Sequence, residues 1–460
     1  MITRPREYLT ETGLPSPEML RSVIREHFAN TARLERLRAA YEGRNAILDR
    51  QKRDGAPNNR LAHPYARYIT TLATGYLIGQ PVSYSTAEES ETLKQLQDVF
   101  RQGSEAAENT QLARDQSIYG KGVEFVHVDS DDNPLPHTTA VSPLNAFVVY
   151  DDTYDMSPLF GVYYLRRTRA DGTDDGWRVW VMSDKEIARY TAATLDAVPD
   201  YTDSEPHYFG GVPLVEYWNN ETETGDFEAV LSLIDAYDVL QSDRVNDKEQ
   251  FVDRLLVITG AVLEADERGR KPLQQLREDR TLQLPAGDTR AEFLSSVMDE
   301  SSVEVLRRAL VEDIHKLSLV PDLSDANFAA NASGVAMRYK LLGFEQMTRV
   351  KEQWFAEGLR ARLKLYLHFM QLRGAQALSV EDIKITFTHA LPANTAENAQ
   401  IAQLARNAGV SSLRTGVSIL HQGDNWTDED INAEVDAISE ERAAEALGAL
   451  AQDGSDMEGI

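Results

Sequence analysis

Apolar residues recur at helical spacing over three long stretches in the second half of the chain, and the other segments are arranged around them. From Asp226 to Thr259, Val230, Ile234, Tyr237, Phe251, Leu255 and Ile258 fall mostly on one face, no proline intervenes, and acidic Asp226 and Glu228 occupy the first turn. One continuous helix is predicted. A second helix opens at a capping box, Ser301 with Glu304, and carries Val303, Leu306, Leu310, Ile314 and Leu317 on one face until Pro321 stops it. After the loop Val320 to Ala332, the stretch Ser333 to Gly374 repeats Ala336, Leu341, Phe344, Phe355, Leu359, Leu363, Leu367 and Met370, again without proline. Unbroken, that helix would span roughly 60 Å. Gly343 and Gly358 are its weak points, each costing about 1 kcal/mol relative to alanine, so a kink is expected at one of them if anywhere. A helix this long without strict heptads is read either as packing against copies of itself or as the spine of an ordinary helical domain, and periodicity alone favours the spine.

Upstream, Pro17 to Asp54 reads as one or two charged helices, with Leu34, Leu37 and Tyr41 as the buried stripe and Gly43 as a break. Asn58 to Tyr84 places Tyr65, Ile69, Leu72 and Tyr76 on one helical face and ends at Gly79 with Pro81 beyond. Helices over Glu89 to Arg101 and Glu105 to Ile118 follow. From Gly122 to Trp218 the period changes to two. The runs Val123–Val128, Ala146–Tyr150, Gly161–Arg166, Trp177–Met182 and Leu214–Trp218, punctuated by turn clusters at Asp129–Pro134 and Asp171–Gly176, predict an antiparallel sheet. Beyond the long helix come an isolated strand, Ile383–Thr388, and three helices. These are Thr395–Ala408 behind an Asn394/Glu397 box, Leu413–Leu420, and Asp428–Leu450 behind a Thr427/Asp430 box, with a frayed end from Ala451. The fold class is α+β, mainly helical.

Composition narrows the function. The 460 residues contain no cysteine, which removes disulfide frameworks, thiolate zinc sites and cysteine nucleophiles. The charged N-terminal stretch Met1 to Gly13 does not resemble a secretion signal, and the most apolar run, Ile69 to Ile78, is too short to span a bilayer, so an intracellular or virion location without membrane contact is expected. The formal charge of −27 opposes a surface built to clamp phosphates, yet it suits a wall that DNA passes without sticking.

Catalytic motifs are missing where they would be recognisable. Asp129, Asp131 and Asn133 imitate the start of an EF-hand loop, but Pro134 occupies the position that needs glycine and Ala140 the one that needs glutamate. Gly120-Lys121-Gly122 lacks the flanking residues of a phosphate loop, no G-x-S-x-G elbow occurs, and the nine histidines include no zinc-hydrolase pair. No enzyme activity, cofactor or metal is expected.

Five segments, in order, carry a resemblance. ARYITTLATGYLIGQPVSY, within Asn59 to Tyr84, HYFGGVPLVEYWNN from His207, and DFEAVLSLIDAYDVLQSDRVNDKEQFVDRLLVITG from Asp226 come first; VPDLSDANFAANASGVAMRYKLLGFEQ from Val320 and GVSSLRTGVSIL near Gly409 follow. Together they resemble portal proteins of long-tailed double-stranded DNA bacteriophages, of the siphophage type. The resemblance implies a ring, usually of 12 subunits, with wing, stem, clip and crown domains around a DNA channel. On this chain it implies a wing at 1–225, stem helices at 226–259 and 301–319, a clip at 260–300, a tunnel loop at 320–332, the long helix and a return strand of the wing at 333–394, and a helical crown at 395–460. Asp322, Ser324, Asp325, Asn327 and Asn331 would face DNA, and Arg268, Arg270, Lys271, Arg277 and Arg280 would form a basic docking surface in the clip. The implied partners are further copies of the chain, double-stranded DNA bound without sequence preference, the terminase large subunit, a head–tail adaptor, and the major capsid and scaffold proteins. The implied location is the capsid vertex of the virion, with assembly in the host cytoplasm. A helical scaffold or adaptor through which no DNA passes is the alternative.

Overall fold

The computed structural model describes residues 1–53, 56–128, 134–252, 255–259, 290–294, 300–323, 334–389, 395–421, 426 and 428–456. In chain order the main elements are β1 (Ile2–Arg4), α1 (Pro17–Tyr41), α2 (Tyr65–Ile78), β2 (Ser83–Ser85), α3 (Glu91–Gln102), α4 (Glu105–Tyr119), β3 (Lys121–Val128), β4 (Pro136–Val141), β5 (Ala146–Asp151), β6 (Pro158–Thr168), β7 (Asp174–Met182), β8 (Glu186–Ala192), β9 (Asp200–Pro206) and β10 (Leu214–Trp218). They continue with α5 (Leu231–Val252), β11 (Leu255–Thr259), β12 (Arg290–Leu294), α6 (Glu300–Ser318), α7 (Gly334–Leu372), β13 (Lys384–Thr386), α8 (Thr395–Asn407), α9 (Leu413–Leu420) and α10 (Asp428–Asp456). The chain divides into two compact units, Met1–Glu42 with Tyr65–Ala229 and His315–Ile460, and Gly43–Pro64 with Val230–Ile314.

The predicted single antiparallel sheet of the first unit is in fact two sheets. One has six strands in the order β1-β5-β6-β7-β8-β9, antiparallel except where β1 runs parallel to β5; the other has three, β10-β3-β4. The split arises because β10 pairs with β3, Leu214 opposite Phe125, instead of extending the larger sheet beyond β9. β4, β8 and β9 lack the alternation that marked the other strands, and β9 is almost wholly exposed, so it has no apolar face to read. Every residue of β5 is buried, because both its faces are covered. Phe147 and Val149 pack with Leu20, Val23 and Ile24 of α1, whereas Ala146 and Val148 join Val123, Met182 and Leu214 between the sheets. The outer face of the small sheet meets α4 and α7 through Leu112, Val126, Val215, Phe355, Leu359 and Leu363. His27 ties α1 to this stack, its ring nitrogens bonded to the Tyr164 hydroxyl and the Pro143 carbonyl; burial first, and then Lys121, holds its pKa down to about 3.

The 39-residue helix α7 runs unbroken through Gly343 and Gly358, the two weak points read from the sequence. Gly358 is there for contact. A Cβ at that position would lie 2.4 Å from Cδ1 and 2.5 Å from Cε1 of the fully buried Tyr217 ring, so only glycine lets the ring rest on the helix backbone. The strand predicted as isolated is shorter and pairs antiparallel with β2, Lys384 opposite Ser85. α10 continues to Asp456, past the predicted frayed start at Ala451.

In the second unit the predicted helix to Thr259 stops at Val252, and Leu255 to Thr259 instead form β11, antiparallel to β12. The run LLVIT is apolar and β-branched, its periodicity fits helix and strand alike, and a partner some thirty residues away decides the matter. α6 starts at Glu300, and the Glu304 carboxylate of the predicted capping box accepts hydrogen bonds from Arg244, Arg307 and Arg308. Residues 58–64, predicted to join a helix, run extended along α5. The backbone amides of His63, Leu61 and Asn59 donate in turn to Asp238 (2.9 Å), Ser242 (3.0 Å) and Asn246 (2.7 Å). The match is metric: two extended residues advance about 6.6 Å and four helical residues about 6 Å. All three acceptors are buried, so the row replaces the ladder that a strand would otherwise need.

These contacts separate the two helical glycines. Gly358→Ala is expected to destabilise the chain by about 1–3 kcal/mol through overpacking. Gly343→Ala, whose Cβ would meet only Leu319 at an ordinary 3.6 Å, is expected to add about 0.5–1 kcal/mol of helix stability. Denaturant unfolding of the two variants side by side checks the opposite signs.

Candidate functional site

The segment expected to face DNA leaves α6 through a defined foot. Leu319 closes the helix at φ +59°, in the left-handed region, and buried Val320 follows. His315 donates from Nδ1 to the Val320 carbonyl (3.0 Å). From α2, the Tyr68 hydroxyl donates to the Pro321 carbonyl (2.9 Å) and accepts from the Leu323 amide (3.1 Å). Asp322, half-buried, has its carboxylate 4.0 Å from Nε2 of His315. Of the residues assigned to the channel only Asp322 is among those described; Ser324, Asp325, Asn327 and Asn331 lie outside them. So do Arg268, Arg270, Lys271, Arg277 and Arg280 of the expected docking surface, the caps Asn394 and Thr427, and the turn at Asp129 to Asn133.

Sequence reasoning missed the charged centre beneath α7. Arg362 is fully buried, with Nη1 2.8 Å from Glu105 of α4 and Nε 2.8 Å from Glu124 of β3. The Tyr84 hydroxyl donates to Glu105 (2.7 Å) and the Tyr217 hydroxyl to Glu124 (2.5 Å). Burial opposes the guanidinium charge, but Glu124, Tyr217 and Glu105 more than reverse this and keep Arg362 protonated; burial also raises the pKa of Glu124 and pushes both tyrosines well up. A second buried pair, Lys351 with Asp226, fixes α7 to the turn after β10, where Asp226 also accepts from Ser117 and Asn219. Lys121, between Glu216 (2.9 Å) and Glu223 (3.1 Å), is a third buried cation. A usable signal did exist: Glu124 takes an inward position in the strand GVEFV, and Arg362 lies within the apolar stripe Phe355, Leu359, Leu363. Among the described residues, no group of His, Asp and Glu could hold a metal ion, and no helix is long and apolar enough to cross a membrane.

Among the described residues, these buried ion pairs hold the long helix α7 against the sheet stack. A family model described as "Phage portal protein, SPP1 Gp6-like" matches residues 20–447. The chain belongs to this portal family. It is 22% identical over 420 residues to the portal protein of Bacillus phage SPP1, covering 88% of this chain and 80% of that one. To the portal protein of Clostridium phage phiCD119 it is 22% identical over 446 residues, covering 91% and 94%. Among solved structures it is similar to a chain in the virion of a native gene transfer agent particle (TM-score 0.46, 15% identity, 85% of this chain and 93% of that one). It is also similar to one in the neck of an empty such particle, computed with C6 symmetry (TM-score 0.47, 16% identity, 78% and 90%). Portal proteins are structural components of phage particles and form oligomeric rings.

One histidine of the portal chain has its pKa raised by the contacts around it. His389 follows β13, stacks on Tyr76 at 4.8 Å, donates from Nδ1 to the Tyr76 carbonyl (3.2 Å) and lies 2.8 Å from the Glu352 carboxylate through Nε2. With acceptors at both nitrogens the doubly protonated ring is favoured, and its pKa rises above 6.5, chiefly through the hydrogen bond it donates to Glu352. A raised histidine pKa stabilises fully below the unfolded value and loses that contribution as pH rises through the folded one. His389→Gln should therefore cost stability at pH 6 and progressively less above pH 6.5. Unfolding midpoints of both proteins across pH 6–8.5 check this; a constant difference would show that the ring is not charged in the fold.

Proposed function

We propose that the chain assembles into a closed ring that conducts double-stranded DNA into and out of the capsid at one vertex. The observation that supports this most is the exposure of α6. Of the apolar face predicted from Val303 to Leu317, only Ile314 is buried within the chain, while Leu306 is 51% and Leu317 58% exposed, and neighbouring Val305 is 68% exposed. Burying one such side chain contributes about 1.5–3 kcal/mol, so a row of them left in water calls for a partner, and a ring supplies the same partner to every copy.

The finer reading follows the family. Twelve copies form the ring, α5 and α6 act as its stem, the residues between them as the clip, and residues 320–332 as the tunnel loop. The clip cations Arg268, Arg270, Lys271, Arg277 and Arg280 meet the terminase large subunit during packaging and the head–tail adaptor afterwards. Major capsid and scaffold proteins surround the wing. The loop sequence holds Asp322 and Asp325 and no Lys or Arg, and with a chain charge of −27 it presents DNA with a wall that does not retain phosphates.

Two experiments test the reading. Leu306→Glu with Leu317→Glu places charges on the exposed row, and sedimentation should show rings replaced by monomers of unchanged helix content; persistent rings would remove α6 from the interface. Asp322→Lys with Asp325→Lys should leave rings intact and slow or stall packaging in assembled heads. Packaging at the unaltered rate would mean that the loop does not meet DNA.

A further inference from the structure

Two tyrosines of α2 stand at the two feet of the segment that joins α6 to α7. At the first foot a single hydroxyl, that of Tyr68, engages both the Pro321 carbonyl and the Leu323 amide, as a neighbouring strand would. The Tyr68 ring stands edge-on to His315, with centroids 5.7 Å apart and planes at 88°, while His315 holds the Val320 carbonyl. Side chains therefore satisfy backbone groups at residues 320, 321 and 323, within four residues of the chain. At the second foot the Tyr76 ring lies 4.9 Å from Phe344 of α7. The feet also meet each other. Leu319 Cδ2 comes to 3.6 Å from where a Cβ of Gly343 would sit, so a larger residue at 343 would crowd it.

Leu319 adds the energetic argument. A left-handed conformation strains a residue with a Cβ, and glycine would end the helix there without that strain. Such a conformation persists where its surroundings impose it. Here the imposing contacts are the clasp on residues 320–323 and the seat of the Leu319 side chain over α7. An exposed helix end needs neither, since water can satisfy its last carbonyls.

We infer that Tyr68 is a positioning residue for the channel segment: its hydroxyl, with His315, fixes the direction in which the chain leaves α6. This rests on the reading of 320–332 as the loop that DNA passes. Force applied to the loop by moving DNA is then borne by α2 and the core behind it, and the loop keeps its reach into the channel under load.

Tyr68→Phe removes the hydroxyl and keeps the ring against His315, so rings should assemble normally. In the assembled variant ring, hydrogen exchange at the Leu323 amide should accelerate about five- to tenfold, with α2 itself unchanged. Packaging by heads carrying that ring should slow. His315→Asn, which keeps a donor near the Nδ1 position, should exchange more slowly across residues 319–323 than His315→Ala. Unchanged exchange in Tyr68→Phe overturns the clasp. Faster exchange with packaging at the wild-type rate leaves the clasp standing and overturns the channel reading beneath it.

Discussion

A guanidinium sealed from water sets the register of the molecule. Arg362 is held by Glu105 from α4 and Glu124 from β3, so three elements distant in sequence must meet at one point. Sliding α7 by one residue would leave that charge unpaired in the core, a loss of several kcal/mol, whereas an all-apolar interface would tolerate the slip. Replacing such a cluster by well-packed hydrophobic residues could even add stability, so its value here lies in specifying one arrangement. Gly358 under Tyr217 enforces the same register sterically. Lys351 with Asp226 repeats the electrostatic device about three helical turns earlier.

That register fixes where both ends of the looped segment start. α7 is locked to the sheet stack through its C-terminal half, and its first turns reach the foot where Leu319 meets Gly343 and Tyr76 meets Phe344. α2, buried through Ile69, Ala73 and Leu77, carries Tyr68, which holds the chain just after α6, and Tyr76, which packs on Phe344 within α7. On α6 the predicted apolar row is only partly covered: Ile314 is buried, whereas Leu306 and Leu317 are exposed.

Much of the helical layout was legible because amphipathic periodicity and capping residues act locally. α9 and β10 have their predicted limits, and α7 differs by one or two residues at each end. What escaped was decided by partners far away in sequence. β11 was taken as the end of a helix because LLVIT carries no period of its own, and its pairing with β12 is invisible without the fold. The extended run 58–64 was absorbed into α2 because nothing local shows that Asp238, Ser242 and Asn246 will satisfy its amides. Gly358 was read as a weak point of the helix because propensity records the cost of glycine but not the ring that requires it. The channel and clip residues other than Asp322 rest on the sequence alone. The anchors of Asp322's neighbours, Tyr68 and His315, were not singled out by the periodicity, because their partners are backbone groups after α6.

A cryo-electron microscopy reconstruction of the purified ring at side-chain resolution tests the central claim most directly, because it reports the neighbours of α6 and the lining of the hole together. The account predicts Leu306 and Leu317 buried against an adjacent copy and the foot at Val320 to Leu323 directed at a central channel wide enough for a DNA duplex. A ring in which α6 faces solvent and that foot points away from the channel would contradict it.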